Sequence, residues 1–277
     1  MRERRSSYSR TAIAKLRREG LLSLLFQAPV WWLRTTYRGG RLELLRRYRR
    51  LRYRRQGMRA IPDPEATIDV DPATVTHLVP LSRFDGAAPR TLLGTVRGGD
   101  WDRGLPRIEP RPKYQACRAR VEDGTPWVET GIVDHLAAEL AASDADTIEH
   151  GCGSRAALRE RYESTRETLY LSLRDEGYDS EQSPVCCRLH IGRDGRLLFG
   201  SGGRHRFYLS RLLGIDSVPV RLLCRHPEWQ AVRETVAAAE HVDALPDAVR
   251  RQLDHPDLQE FAIAREASES TWRPTTG

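Results

Sequence analysis

The sequence predicts an α/β (α+β) protein built around a small mixed sheet. Strand-like stretches at 185–191, 196–199 and 218–224 have alternating or continuous apolar residues, and a helical stretch lies between the last two. The resulting order is strand, turn, strand, glycine loop, helix, strand, which is typical of a mixed α/β unit. A helical segment precedes this unit. With 277 residues, the chain is long enough for one large domain or two small ones.

The strand-like stretches are bounded by turn signals. "GRDG" (192–195) separates the first two strands, so these are expected to pair as a hairpin. Gly214 is expected to stop the short helix that follows the glycine loop. Pro219 falls at the start of the last strand, where a missing N–H does least harm.

The segment before this unit is predicted to be helical over 155–177. Ser154 can cap its first turn, and Gly177 is expected to close it. Apolar spacings of three and four predict a buried stripe on this helix. The predicted stripe consists of Leu158, Tyr162, Thr165, Leu169 and Leu173.

Charge divides the chain into a basic arm and a mildly acidic body. Residues 1–60 hold 18 Lys and Arg against 3 Asp and Glu, whereas the rest of the chain holds 27 against 35. The apolar run at 21–33 is shorter than the roughly 20 residues that span a bilayer. The arm is therefore expected to bind an anionic membrane surface or nucleic acid, or to pack as a helix on the body.

Four regions follow from these patterns. Residues 1–60 form the basic arm, 61–180 hold linker strands and the helical lead-in, 181–262 form the core, and 263–277 form a disordered tail. The five cysteines are an odd number, and no secretory signal precedes them. We therefore expect reduced thiols and a cytoplasmic protein, with a peripheral location at the inner face of the membrane as the alternative.

The stretch "GSGGRHRF" (200–207) is the strongest candidate site. A glycine-rich loop that opens a helix directs backbone N–H groups and the positive end of the helix to one place. Arg204 and Arg206 add guanidinium groups that match phosphate geometry, and His205 adds a donor or a proton carrier. The alternative is a flexible turn with solvent-facing arginines. No lysine lies near the loop in the sequence, so a Walker-type lysine is not expected there.

The stretch from "IGRDGRLLF" through "GSGGRHRF" to "LLGIDSVPVRLL" (191–223) resembles the ParB/sulfiredoxin-like domain, and the wider chain is similar to largely haloarchaeal members of that group. Gly203 to Arg206 fall on its Gly-x-x-Arg box, which implies a site for the phosphates of CTP or ATP. Sulfiredoxins need a cysteine where this chain has Arg204, which argues against sulfinic acid reduction. Gly202 replaces an aspartate that many relatives carry, so binding without turnover stays open.

The resemblance implies a nucleotide-binding protein that hydrolyses NTP or transfers a phosphoryl group, with ATP or CTP as ligand and Mg²⁺ as a further candidate. Gly202, Gly203 and His205 would line the phosphates, while Arg204 and Arg206 would neutralise them. His205 and Asp194 are the catalytic candidates, although an aspartate in "GRDG" is also a common turn residue. The alternatives are a DNA-binding or nicking protein that uses the arm and a non-catalytic scaffold at a membrane surface.

Histidines and cysteines suggest two pairs to consider for metal binding. His150 precedes Cys152 closely, and His190 follows Cys186 and Cys187. Neither group has the paired spacing of a zinc site, so the sequence predicts no metal site.

Overall fold

The structure is a computed structural model that describes residues 43–44, 47–149, 151–179 and 187–261. The predicted tail 263–277 and most of the basic arm lie outside the described residues. The chain divides into two compact units, Met1–Gly57 and Met58–Gly277.

In the first unit, residues 47–55 form helix α1. Leu44, Tyr48 and Leu51 follow a helical spacing of four and three, and all three are exposed, at 67%, 62% and 56%. Among the described helices of both units, none is long and apolar enough to cross a bilayer.

The second unit contains a five-stranded mixed sheet. Its strands are β1 (Thr67–Val70), β2 (Thr95–Val96), β3 (Arg188–Ile191), β4 (Leu197–Ser201) and β5 (Val218–Arg225). The order is β1-β5-β3-β4, and β2 pairs with β5 as well. β3 runs antiparallel to β4 and parallel to β5, while β1 runs antiparallel to β5. The prediction of an α/β fold with a small mixed sheet is therefore confirmed.

Helices cover the sheet and lead into it. They are α2 (Pro89–Leu92), α3 (Pro112–Glu122), α4 (Ile132–Ala141), α5 (Arg155–Arg161), α6 (Glu167–Glu176), α7 (Arg204–Leu212), α8 (Pro227–Ala238) and α9 (Asp247–Arg250). Short 3₁₀ turns occur at Pro72–Thr74, Leu81–Phe84, Trp127–Thr130, Val242–Ala244 and Pro256–Leu258. As predicted, the Ser154 hydroxyl caps α5, Gly177 follows α6 with a φ of +74°, and α7 connects the glycine loop to β5.

A single π turn, Tyr162–Arg166, joins α5 to α6. It inserts about one extra residue into the helix and so rotates the following side chains relative to a regular α-helix. The predicted buried stripe is wrong at one position for this reason. Thr165 is exposed, and Arg166 and Tyr170 are buried instead.

The sheet is buried on both faces, which explains the nearly continuous apolar runs of β4 and β5. Leu197 and Phe199 join the larger core cluster with α3 to α8, whereas Leu198 belongs to a second cluster with Phe84 and Trp101. The two clusters alternate along β4 because successive side chains of a strand point to opposite faces of the sheet. The helices of 112–176 and the sheet therefore share one hydrophobic core.

The β3–β4 turn is fixed by the C-terminal segment. His255 bonds to the Gly195 carbonyl through Nε2 at 2.8 Å, and its ring packs 4.3 Å from the ring of Trp229. Asp257 accepts a hydrogen bond from Trp229 and forms ion pairs with Arg225 and Arg233. The turn thus lies at the end of β4 that is opposite to the glycine loop.

Candidate functional site

The glycine loop turns the chain sharply from β4 into α7. Gly202 and Gly203 both adopt left-handed backbone conformations, with φ of +76° and +56°. Residues that carry a side chain rarely adopt this backbone conformation, so both positions favour glycine. Gly203 is the N-cap residue of α7 and has no side chain with which to cap the helix. The amides of the first turn therefore receive no hydrogen bond from an N-cap side chain and are suited to an anion.

The three residues after the glycines point in different directions. Arg204 is exposed and forms no ion pair with any residue that the structure describes. Arg206 is half-buried, with its guanidinium 5.7 Å from the centre of the Tyr178 ring. His205 is buried, with only 5% exposed. The predicted phosphate site is thus divided: two arginines lie toward the surface and the histidine lies in the interior.

His205 is held by a buried tyrosine. Its Nε2 lies 2.9 Å from the hydroxyl of Tyr162, and the two rings meet edge to face. Burial lowers the pKa of His205 to about 3, and the positive charge of Arg166 contributes in the same direction. The imidazole is therefore neutral at pH 7. Because its Nε2 bonds to the Tyr162 hydroxyl, the buried His205 side chain holds the start of α7 against the core.

A buried ion cluster lies behind this histidine. The Glu149 carboxylate forms an ion pair with Lys113 through Oε1 and accepts a bond of 3.2 Å from Arg166 Nη2 through Oε2. Burial opposes ionisation of Glu149, but the hydrogen bond from Lys113 and the surrounding positive charges outweigh it. The pKa of Glu149 is lowered to about 2. Among the described residues, the cluster therefore holds one anion and two cations.

The π turn joins the histidine to the cluster. Tyr162, its first residue, contacts His205, and Arg166, its last residue, contacts Glu149. The charges of Glu149 and Lys113 also act on the pKa of His205. The charge of Lys113 therefore acts on His205, although no lysine is near the glycine loop in the sequence. The lysine comes from α3, about ninety residues earlier in the chain.

Glu149 reaches the cluster through a strained backbone. Its φ is +45°, which is uncommon for a residue other than glycine. The surrounding turn is closed by two backbone bonds between Ile148 and Cys152, of 2.9 and 2.8 Å. Such conformations cost energy and concentrate at functional sites.

Asp194, the other catalytic candidate, lies elsewhere. It is exposed in the β3–β4 turn, where its carboxylate accepts bonds from the Arg196 side chain at 2.7 Å and the Arg196 backbone at 3.1 Å. The five residues of β4 separate it from the glycine loop, a distance of roughly 17 Å. The structure does not bring Asp194 and His205 together, and it gives Asp194 the role of a turn residue.

The residues considered for metal binding are also dispersed. His150 and Cys186 lie outside the described residues, while Cys152, Cys187 and His190 are buried. Within the described parts of the chain, no three His, Cys, Asp or Glu side chains converge on a possible metal position.

No family model matches the chain, and no curated protein or solved structure matches it either. The ParB/sulfiredoxin-like core thus stays a prediction.

The ion cluster was missed by sequence reasoning because its members come from three separate segments. One signal was available. Lys113 is one of only two lysines among 45 Lys and Arg residues. In a chain that otherwise uses arginine almost throughout, a lysine is unusual, and it places a compact cation where arginine would place a planar one.

Proposed function

We propose that this protein binds a nucleotide, ATP or CTP, through its phosphates at the glycine loop, and that it hydrolyses the nucleotide or transfers a phosphoryl group. The observation that carries the proposal is the start of α7 behind Gly202 and Gly203, where the N-cap residue has no side chain, next to an excess of positive charge among the described residues. Backbone amides at a helix start together with arginines are a recurring solution for binding phosphate.

Each loop residue has a distinct part in this proposal. Gly202 and Gly203 let the backbone approach the phosphates without a Cβ in the way. Arg204 and Arg206 neutralise them from the surface side. His205, neutral and bonded to Tyr162, positions the first turn of α7. The bound nucleotide would supply the phosphoanhydride bond that is broken in hydrolysis or in phosphoryl transfer.

The described residues offer no ready set of ligands for Mg²⁺, since Glu149 is already engaged by two cations. We therefore assign no residue to the metal. A Mg²⁺ ion that binds together with the nucleotide is tested by comparing each nucleotide with and without Mg²⁺.

Thermal unfolding with a panel of ATP, ADP, CTP and GTP, each with and without Mg²⁺, tests the proposal. A ligand at about 100 times its Kd adds roughly 2.7 kcal/mol, which raises the Tm of a unit of this size by about 5–10 °C. We expect a shift with ATP or CTP that is lost in Arg206→Ala and kept in Arg196→Ala. The second variant removes the same charge at the opposite end of β4. Absence of any Tm shift in a folded sample would contradict nucleotide binding. If a nucleotide does shift the Tm, release of phosphate from that nucleotide tests hydrolysis.

A second function is favoured by one observation in the first unit. The exposed stripe of Leu44, Tyr48 and Leu51 lies on a segment rich in arginine, and Arg47, Arg50 and Arg54 are exposed. An apolar face beside basic residues suits an anionic membrane surface better than nucleic acid, which needs the charge but not the apolar face.

Cosedimentation with vesicles tests this second function. We expect binding to phosphatidylserine-containing vesicles that weakens when all three stripe residues are changed to serine. A fluorescent DNA duplex serves as the competing ligand. Binding to the duplex that persists in the triple variant would favour the nucleic-acid alternative instead.

A further inference from the structure

Arg166 has an incompletely used guanidinium group in the interior. The residue is only 9% exposed, and Nη2 donates a single bond to Glu149. Its Nε is buried and has no hydrogen-bond partner among the described residues. A guanidinium presents donors suited to two parallel bonds with a carboxylate or phosphate. Leaving a buried donor unused costs about as much as a lost hydrogen bond, so this site favours a further anionic oxygen.

A nearby ion pair shows what a completed site of this kind looks like. Arg120 binds both oxygens of Glu167, through Nε at 3.0 Å and Nη2 at 2.5 Å. Trp127 adds a third bond to the same carboxylate. That pair has one cation for one anion and a bidentate geometry. The cluster at Arg166 has two cations for one anion and a single bond from the guanidinium.

Solvent reaches the cluster from one side. The Lys113 side chain is 20% exposed, whereas the Glu149 side chain is 8% exposed. Lys113 therefore forms the solvent side of the cluster, and Glu149 lies deeper. Because His205 contacts the same π turn and follows Arg204 directly, the cluster and the glycine loop are neighbours.

We propose that Lys113 and Arg166 form a second anion subsite, which takes the terminal phosphate of the nucleotide whose other phosphates bind at the glycine loop. Glu149 is the internal counter-ion of this subsite and competes with the phosphate for both cations. The inference rests on the proposed nucleotide binding and adds to it a means of distinguishing triphosphates from monophosphates.

The two kinds of residue are expected to act in opposite directions. Replacing Lys113 removes a cation that contacts the terminal phosphate, so the affinity for the triphosphate falls. Replacing Glu149 by the isosteric amide removes the competing anion, so the affinity for the triphosphate rises. If the cluster only stabilised the fold, both changes would weaken binding or leave it unchanged.

Calorimetric titration with ATP, AMP, CTP and CMP measures this directly. For the nucleotide that binds, we expect Lys113→Gln to reduce the ratio of triphosphate to monophosphate affinity by about tenfold or more, as for a lost hydrogen bond between charged groups. Glu149→Gln is expected to raise that ratio. Arg166→Lys keeps the charge but loses the planar donor pair, so it should lower the ratio too. Glu167→Gln, in the neighbouring ion pair, serves as the control and should leave the ratio unchanged.

The outcomes separate the two proposals. If wild-type protein binds none of the four nucleotides, the proposed function fails and the subsite fails with it. If nucleotides bind at the loop but the ratio is unchanged in Lys113→Gln, or falls in Glu149→Gln, the subsite alone is overturned. Should Lys113→Gln not fold, Arg166→Lys and Glu149→Gln still decide the question, because their expected effects have opposite signs.

Discussion

Two buried tyrosines provide a matched test of how His205 is held. Tyr162 and Tyr208 are both fully buried. The hydroxyl of Tyr162 bonds to His205 Nε2 at 2.9 Å, whereas the hydroxyl of Tyr208 is buried without a hydrogen-bond partner among the described residues. The same substitution, tyrosine to phenylalanine, therefore removes a hydrogen bond at one position and an unsatisfied group at the other.

The magnitudes follow from this difference. In Tyr162→Phe, His205 Nε2 is left buried and unpaired, which costs about 1–3 kcal/mol of unfolding free energy. In Tyr208→Phe the ring is retained, including its packing against Tyr114 and Phe199, and the buried hydroxyl disappears. Tyr208→Phe is expected to change the free energy of unfolding by less than about 0.5 kcal/mol, or to raise it. The pair of variants thus differs by about 2 kcal/mol.

Urea unfolding followed by circular dichroism measures the difference. An unchanged m-value with a lower midpoint for Tyr162→Phe would report a loss of stability without a change in the extent of unfolding. In a thermal scan the same variant should melt about 4–8 °C below the wild type. Equal losses in both variants, or a larger loss in Tyr208→Phe, would refute the assignment of His205 as an anchored interior residue.

Two further predictions concern stability. Burial lowers the pKa of His190 to about 3. Between pH 6.5 and 5 the unfolded chain therefore binds a proton that the folded chain does not, and stability falls by about 2 kcal/mol over that window as the pH falls. His190→Leu should remove this part of the acid sensitivity in urea unfolding at a series of pH values, and an unchanged slope would contradict it. Gly195→Ala should destabilise by several kcal/mol, because a Cβ there would lie 2.6 Å from Trp229 Cζ3 at a φ of +84°. In Gly124→Ala, which has a similar φ of +68° but open space, only about 1 kcal/mol of backbone strain is expected, so equal melting temperatures for the two variants would argue against the clash.

Local patterns in the sequence were enough to predict most of the regular elements. The hairpin of β3 and β4, the short helix after the glycine loop, and β5 all depend on apolar periodicity and turn residues within a few positions of each other. The end of the long helical segment at Gly177 follows from the same kind of local rule.

The interior of the candidate site could not be predicted in this way. A π turn has no reliable sequence signature, and it moved Arg166 to the buried face in place of Thr165. Lys113 and Glu149 are 36 positions apart and meet only in the folded chain, in which α3 packs against α7. The orientation of the His205 side chain depends in turn on its bond to Tyr162, which is the first residue of the same π turn.

The orientation of the loop residues shows a further limit of sequence patterns. A basic triplet such as Arg204 to Arg206 looks like one charged surface in the sequence. At the start of a helix, successive side chains are about 100° apart, so one of the three must point inward when the helix packs on a core. His205 is the least costly of the three to bury, because it can be neutral at pH 7.

Hydrogen exchange measured by mass spectrometry, with saturating ATP or CTP and without nucleotide, tests whether phosphates bind at the glycine loop. We expect slower exchange of the backbone amides in peptides that cover residues 200–207, because phosphates would bind the first-turn amides of α7. Peptides that cover the β3–β4 turn at 192–196 should exchange at the same rate in both samples. Slower exchange confined to other parts of the chain, or no change at any peptide, would contradict a phosphate site at the glycine loop.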